Sequence, residues 1–124
     1  MPANCPPVIL IVEDEFLIRM MLAETLVDQG FDVIEAGTAD EAVPHLRQNP
    51  AIALMITDLT LPGAMDGLGL AQWVRTHRAD LPIIYVTGRP DAIRADGLGT
   101  RDTIVAKPYL PSEIAAAAVR MLSS

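Results

Sequence analysis

Short apolar runs alternate along this chain with longer stretches whose apolar positions recur every three or four residues. Runs of about five residues suit buried strands, and the longer stretches have the period of helices, so the alternation predicts repeated βα units. Val8–Val12 predicts the first strand. A helix follows from about Glu15 to Gln29, with Ile18, Met21, Leu22 and Leu26 on one face and Gly30 as its stop. The second strand is Asp32–Glu35. Thr38-Ala39-Asp40-Glu41 is a capping box that opens a second helix, ending near Asn49-Pro50. Pro44 lies inside it and cannot bond the Asp40 carbonyl, which predicts a kink or a late start. The third strand, Ile52–Thr57, leads into a glycine-bearing loop, Leu59–Gly67, and a third helix from about Leu68 to His77. Ile83–Thr87 and Thr103–Ala106 predict the fourth and fifth strands. Between them, Pro90, Gly97 and Gly99 allow at most one short helix, around Asp91–Asp96. The last helix begins with Pro111 in its first turn and carries a stripe of Ile114, Ala117, Ala118, Met121 and Leu122.

Five strands that mostly lack polar alternation imply an α/β sheet covered by helices on both faces. Right-handed crossovers then give a doubly wound, flavodoxin-like parallel sheet. The 124 residues make one domain, expected over 8–124, after a flexible arm over 1–7. The last predicted helix ends two residues before the chain does, so no output domain is expected. With 51% hydrophobic and 20% charged residues the composition is that of a globular domain. No apolar run approaches the ~20 residues of a membrane helix, and the N-terminus has no signal-peptide pattern. The single cysteine, Cys5, excludes an internal disulfide and has no basic neighbour to activate it. These features together predict a cytoplasmic protein. A net charge of −7, with no basic run, argues against direct nucleic-acid binding and favours a protein partner.

Four of the runs deliver a reactive side chain at or just past their last residue. Val12 runs into Glu13-Asp14, Thr57 into Asp58, the fourth run ends at Thr87-Gly88, and Ala106 precedes Lys107-Pro108, which holds the only lysine. In open α/β sheets, ligands bind at the carboxyl ends of the strands. Parallel neighbours would therefore bring three carboxylates, a hydroxyl and an amine to one edge. Each piece has a local reading: an acidic pair at a helix N-terminus, a loop-capping aspartate, a strand-end hydroxyl, a Lys-Pro turn. Their joint arrival at successive strand ends points instead to phosphorylation of an aspartate.

The set Val12-Glu13-Asp14-Glu15, Asp58-Leu59-Thr60-Leu61-Pro62-Gly63, Met65-Asp66-Gly67, Thr87-Gly88 and Lys107-Pro108-Tyr109 resembles the receiver domain of bacterial two-component response regulators. The resemblance runs from about Val8 to Leu122 and implies strand order 2-1-3-4-5. It also implies roles. Asp58 would be the phosphoacceptor, and Glu13, Asp14, Asp58 and the Thr60 backbone carbonyl would hold Mg²⁺, or Mn²⁺ in its place. Lys107 would pair with a phosphoryl oxygen, Thr87 would turn its hydroxyl onto the group, and Gly88 would leave space and an N–H beside it. Thr60 and Arg89 would flank the phosphoryl group, and Pro108 would follow a peptide bond that is often cis in the family. The implied partners are a histidine kinase or a histidine-phosphotransfer protein, and then an unidentified downstream protein. The Ala115–Ala118 run would also allow close helix packing in a homodimer.

Two departures stand out. The family's switch aromatic is expected two residues before the lysine, where this chain has Val105, so Val105, Pro108 and Tyr109 mark a switch region without its usual ring. The extra residue in the 62–67 loop resembles receivers of hybrid histidine kinases. Three rivals follow. A pseudo-receiver that docks without phosphate is compatible with Val105. A haloacid-dehalogenase-like phosphatase needs a carboxylate where Thr60 stands. A flavodoxin needs a phosphate loop where Glu13-Asp14 would repel it. His45 and His77 read as surface or boundary residues, and Trp73 and Tyr109 as packing residues.

Overall fold

The computed structural model describes residues 6–89 and 101–123. The arm residues 1–5, with Cys5, and the short helix expected around 91–96 lie outside them. The first half of the chain forms β1 (Val8–Val12), α1 (Phe16–Asp28), β2 (Asp32–Ala36), α2 (Ala39–Gln48) and β3 (Ile52–Asp58). It continues with α3 (Gly67–His77), β4 (Ile83–Thr87), β5 (Thr103–Ala106) and α4 (Pro111–Leu122). All strand pairs are parallel, in the order β2-β1-β3-β4-β5. Parallel neighbours cannot be joined by a hairpin, and the crossovers place helices on both faces.

Two cores result, one per face. Leu10, Val12, Met55, Ile83 and Tyr85 pack with Ala42 and Leu46 of α2 and Leu70 and Val74 of α3. Ile9, Ile11, Leu54, Ile56 and Val86 pack with Leu22 and Leu26 of α1 and Ile114, Ala117 and Ala118 of α4. Alternate residues of each strand feed opposite cores, because successive side chains leave a strand on opposite faces. Burial on both faces explains why the strands read as continuous apolar runs.

The helix boundaries follow local chemistry. Thr38 accepts from the Glu41 N–H at 3.1 Å, and Asp66 accepts from the Gly69 N–H at 2.9 Å, so each caps its helix. Gly30 ends α1 with a φ of 98°, a conformation a side chain disfavours. α2 neither starts late nor stops at Pro44, because that residue is exposed and the Asp40 carbonyl it leaves can turn to water.

One expected face is corrected. Leu22, Ala23 and Leu26 are the buried residues of α1, whereas Met21 is 53% exposed. The alanines of α4 are also accounted for within the chain: Ala115, Ala117 and Ala118 are buried against the α1-side core, which leaves Ala116 outside.

Candidate functional site

β3 runs one residue further than its apolar run, so Asp58 is its last residue and is 6% exposed. It stands at the carboxyl end of the central strand, between the ends of β1 and β4. The Asp58 Oδ1 accepts from the Thr60 N–H at 3.0 Å, and Oδ2 lies 2.5 Å from Lys107 Nζ. Both oxygens are thus oriented, and the lysine predicted to converge on this aspartate is in contact with it. Burial opposes the Lys107 charge, but the Asp58 hydrogen bond and the Asp58, Glu13 and Glu15 charges outweigh it and push the amine up.

Glu13 directly follows β1, is 4% exposed, and accepts from the Glu15 N–H at 3.0 Å. Burial above all raises its carboxyl to about 7, against the lowering effect of the Glu15 N–H. The Asp14 side chain and the Asp58 charge add to the rise, and Lys107 opposes it. Asp14 itself is exposed. Glu13 and Asp58 therefore lie within each other's field, as expected. Among the described residues, however, no three His, Cys, Asp or Glu side chains are close enough to form a ready metal cage. The carboxylates are oxygen donors, which fits Mg²⁺, and a cation beside them would offset the Asp58 charge that adds to the rise at Glu13. The carboxylates have been brought to one edge without being closed around an ion.

Thr87 ends β4, is 5% exposed, and accepts from the Arg89 N–H at 2.9 Å through Oγ1. Its carbonyl accepts from the Lys107 N–H at 2.8 Å, which ties the hydroxyl-bearing and lysine-bearing strand ends together. A Cβ on Gly88 would meet nothing within 4 Å, and Arg89 is exposed, so the space beside Thr87 is open. Thr60 is exposed beside Asp58. The Lys107-Pro108 bond is cis. Beyond it, the Tyr109 ring packs on the α1-side core, and a cavity of about 440 Å³ separates Ile18, Met21 and Leu22 from Lys107, Pro108, Tyr109 and Pro111.

Val105 does not face Thr87. It packs on the α1-side core, whereas Ile104, paired with Tyr85, joins the opposite core. Tyr85 and Thr87 are two residues apart on one strand and share a face, so Ile104 and Ala106, not Val105, are the β5 residues on the threonine's side, with Ala106 its direct register partner. The period-two rule applied to the register would have found this; counting back from the lysine did not.

Other contributors carried no chemical signal of their own. Thr57 donates to the Asp58 carbonyl at 3.0 Å. Arg19 reaches from α1 to the Glu13 carbonyl at 2.8 Å and to Glu35 at 3.0 Å. A Cβ on Gly67 would press into the Asp58 carbonyl and stand 2.7 Å from Leu59 Cα, so this glycine fixes how closely α3 approaches the aspartate. His45 and His77 are exposed. Trp73 packs on the α2–α3 core with its ring stacked on His77 at 4.1 Å.

The family model described as the response regulator receiver domain matches residues 9–119. A transcriptional regulatory protein of Pseudomonas aeruginosa, AruR, is 37% identical over 94% of this chain and 49% of its own length. The aerobic respiration control protein ArcA of Escherichia coli K12 is 38% identical over the same shares. The chain thus spans about half the length of these curated relatives. Among solved structures, the receiver domain of NtrX from Brucella abortus superposes with a TM-score of 0.82 at 30% identity, over 94% of this chain and 98% of that one. The chemotaxis response regulator CheY4 of Vibrio cholerae gives a TM-score of 0.84 at 25% identity, over 94% and 99%.

Proposed function

The chain belongs to the response regulator receiver domain family, and from that premise we propose that it accepts a phosphoryl group on Asp58 from a histidine kinase or a histidine-phosphotransfer protein. The observation that carries the reading is the buried Asp58 carboxylate, held by the Thr60 N–H and by the chain's only lysine at 2.5 Å. One Asp58 oxygen attacks phosphorus in line; the new O–P bond forms as the P–N bond of the phosphohistidine breaks, and its electron pair leaves with the imidazole. Lys107 follows the negative charge from the carboxylate to a phosphoryl oxygen. Thr87, whose Oγ1 accepts from the Arg89 N–H, keeps its own proton free to donate to a second. Mg²⁺, or Mn²⁺, would be held by Glu13, Asp14, Asp58 and the Thr60 carbonyl and would supply further neutralisation of the transferred charge. Gly88 leaves the approach open, and Thr60 and Arg89 border it.

The modification adds about −1.5 to −2 charge and three acceptor oxygens. The segment expected to respond runs from Thr87 to Tyr109, of which 90–100 lie outside the described residues, and a partner protein would read the change, or the phosphoryl group would be passed on. The setting would be the cytoplasm; among the described residues no helix is long and apolar enough to cross a membrane.

Incubation with acetyl phosphate and Mg²⁺, followed by intact-mass measurement, tests the reading. Wild type should gain one phosphoryl group and a folded Asp58→Asn variant none; labelling of both would mean another acceptor. A second reading, docking without phosphate, is favoured by the aliphatic pair Ile104 and Val105, which leaves β5 no aromatic ring to couple to Thr87. A partner that binds Asp58→Asn as well as wild type would support it.

A further inference from the structure

The Tyr109 hydroxyl plays no part in the phosphoryl chemistry above, yet its placement is unusual. Among the described residues only two buried side-chain polar atoms find no hydrogen-bond partner, Arg75 Nε and Tyr109 Oη. The first belongs to a guanidinium already paired with Asp102. The second has nothing. Buried polar groups in native proteins are nearly all partnered, and an exception calls for a physical reason.

Its position suggests one. The ring packs on the core that holds Ile9 and Ile11 of β1 and Leu54 and Ile56 of β3. Glu13 and Asp58 come two residues after Ile11 and Ile56, so they leave the sheet on that same face, at its carboxyl end. Lys107, two residues after Val105 of the same core, leaves there too and reaches Asp58. Tyr109 therefore shares its face of the sheet with the acidic edge, whereas Thr87 faces the other core. Burial above all, then the charges of Glu13 and Asp58, raises the phenol to about 12, so the group is a donor with its proton in place.

We propose that Tyr109 is a positioning residue of the phosphoryl site: its buried hydroxyl is unpaired at rest and becomes paired when the oxygens around Asp58 gain charge on phosphorylation. The proposal rests on the phosphoacceptor reading. At rest Lys107 neutralises Asp58 directly. Once Lys107 follows the charge onto a phosphoryl oxygen, the site holds more acceptor oxygens than at rest, and the Tyr109 hydroxyl is a buried, unpaired donor on that face.

This makes a prediction of opposite signs. Tyr109→Phe removes an unpaired group and keeps the ring, so the resting protein should melt higher than wild type, by about 3–6 °C for a domain of this size. With Mg²⁺ and beryllium fluoride as the phosphoryl mimic, wild type should gain more than the variant, closing or reversing the gap. A variant that melts lower at rest would show a hydroxyl already partnered and overturn the proposal. So would a variant that melts higher yet gains as much as wild type on loading, because the hydroxyl would then be a packing defect only. If wild type gains nothing from Mg²⁺ and beryllium fluoride and takes no label from acetyl phosphate, the phosphoacceptor reading itself fails and the proposal falls with it. Wild type that loads normally isolates a failure to Tyr109.

Discussion

Glu13 shows how burial changes a residue whose identity alone says little. An acidic pair after a strand suits a helix N-terminus equally well, but Glu13 is enclosed and its carboxyl is raised from 4.5 to about 7, chiefly by burial. Between those values the folded protein binds more protons than the unfolded chain, so this residue makes stability fall as pH rises through that window and levels off above it. The decline should amount to at most about 3 kcal/mol. Urea unfolding of wild type and Glu13→Gln at pH 4.5, 6 and 7.5 checks it. The variant should lack the decline, and equal declines in both would refute the raised value. If Glu13 helps to hold Mg²⁺ as proposed, the same proton competes with the cation, and a Mg²⁺ titration should show tighter binding above pH 7 than at pH 5. None of this was legible in the residue letters, since a pKa depends on what surrounds the group. The residue types and their strand-end placement were legible, and they sufficed to bring Asp58, Thr87 and Lys107 forward as candidates.

At the scale of elements, strands were read more accurately than helix faces. Their bounds follow from runs flanked by turn residues, and β3 gained Asp58 only because the β4 register extends its pairing. The Val105 misplacement is an element-level error: a strand's facing is set by its register with its neighbour. The elements are also locked to one another by contacts distant in sequence. The Asp102 side chain, 1% exposed just before β5, accepts from the Ile83 N–H at 3.0 Å and pairs with Arg75 of α3. Arg78 donates to the Ile52 carbonyl at 2.7 Å, joining α3 to the start of β3. The tightest junction is at Gly67, where a methyl group would collide with the Asp58–Leu59 backbone. Gly67→Ala should lower stability by about 1–3 kcal/mol through overpacking and displace Asp58. Loss of acetyl phosphate labelling in a folded Gly67→Ala variant would show the displacement; unchanged stability and labelling would mean that the loop yields at no cost.

Across the whole molecule, the clearest break in the inside–outside pattern is on α1. Phe16, Leu17, Met21 and Val27 are each more than half exposed on a protein with a net charge of −7. This apolar face, bordering the cavity beside Lys107, is left out of the chain's own core, as a face that meets a protein partner would be. If a protein donor approaches Asp58 across it, Met21→Glu should slow phosphotransfer from that donor by tenfold or more. Labelling by acetyl phosphate should stay unchanged, since a small donor needs no such face; equal rates from the protein donor would exclude α1 from the contact. The sequence by itself determined the α/β class, the strands, the helix caps and the kinds of side chain at the strand ends, because these depend on periodicity and on chemistry between near neighbours. Only the tertiary structure decided that Lys107 meets Asp58 across 49 residues, that Met21 faces outward, that Ile104 and not Val105 shares the threonine's side, and that the Tyr109 hydroxyl is buried without a partner. Those depend on register, on crossover packing and on the loss of water around charged groups, which arise when distant segments come together.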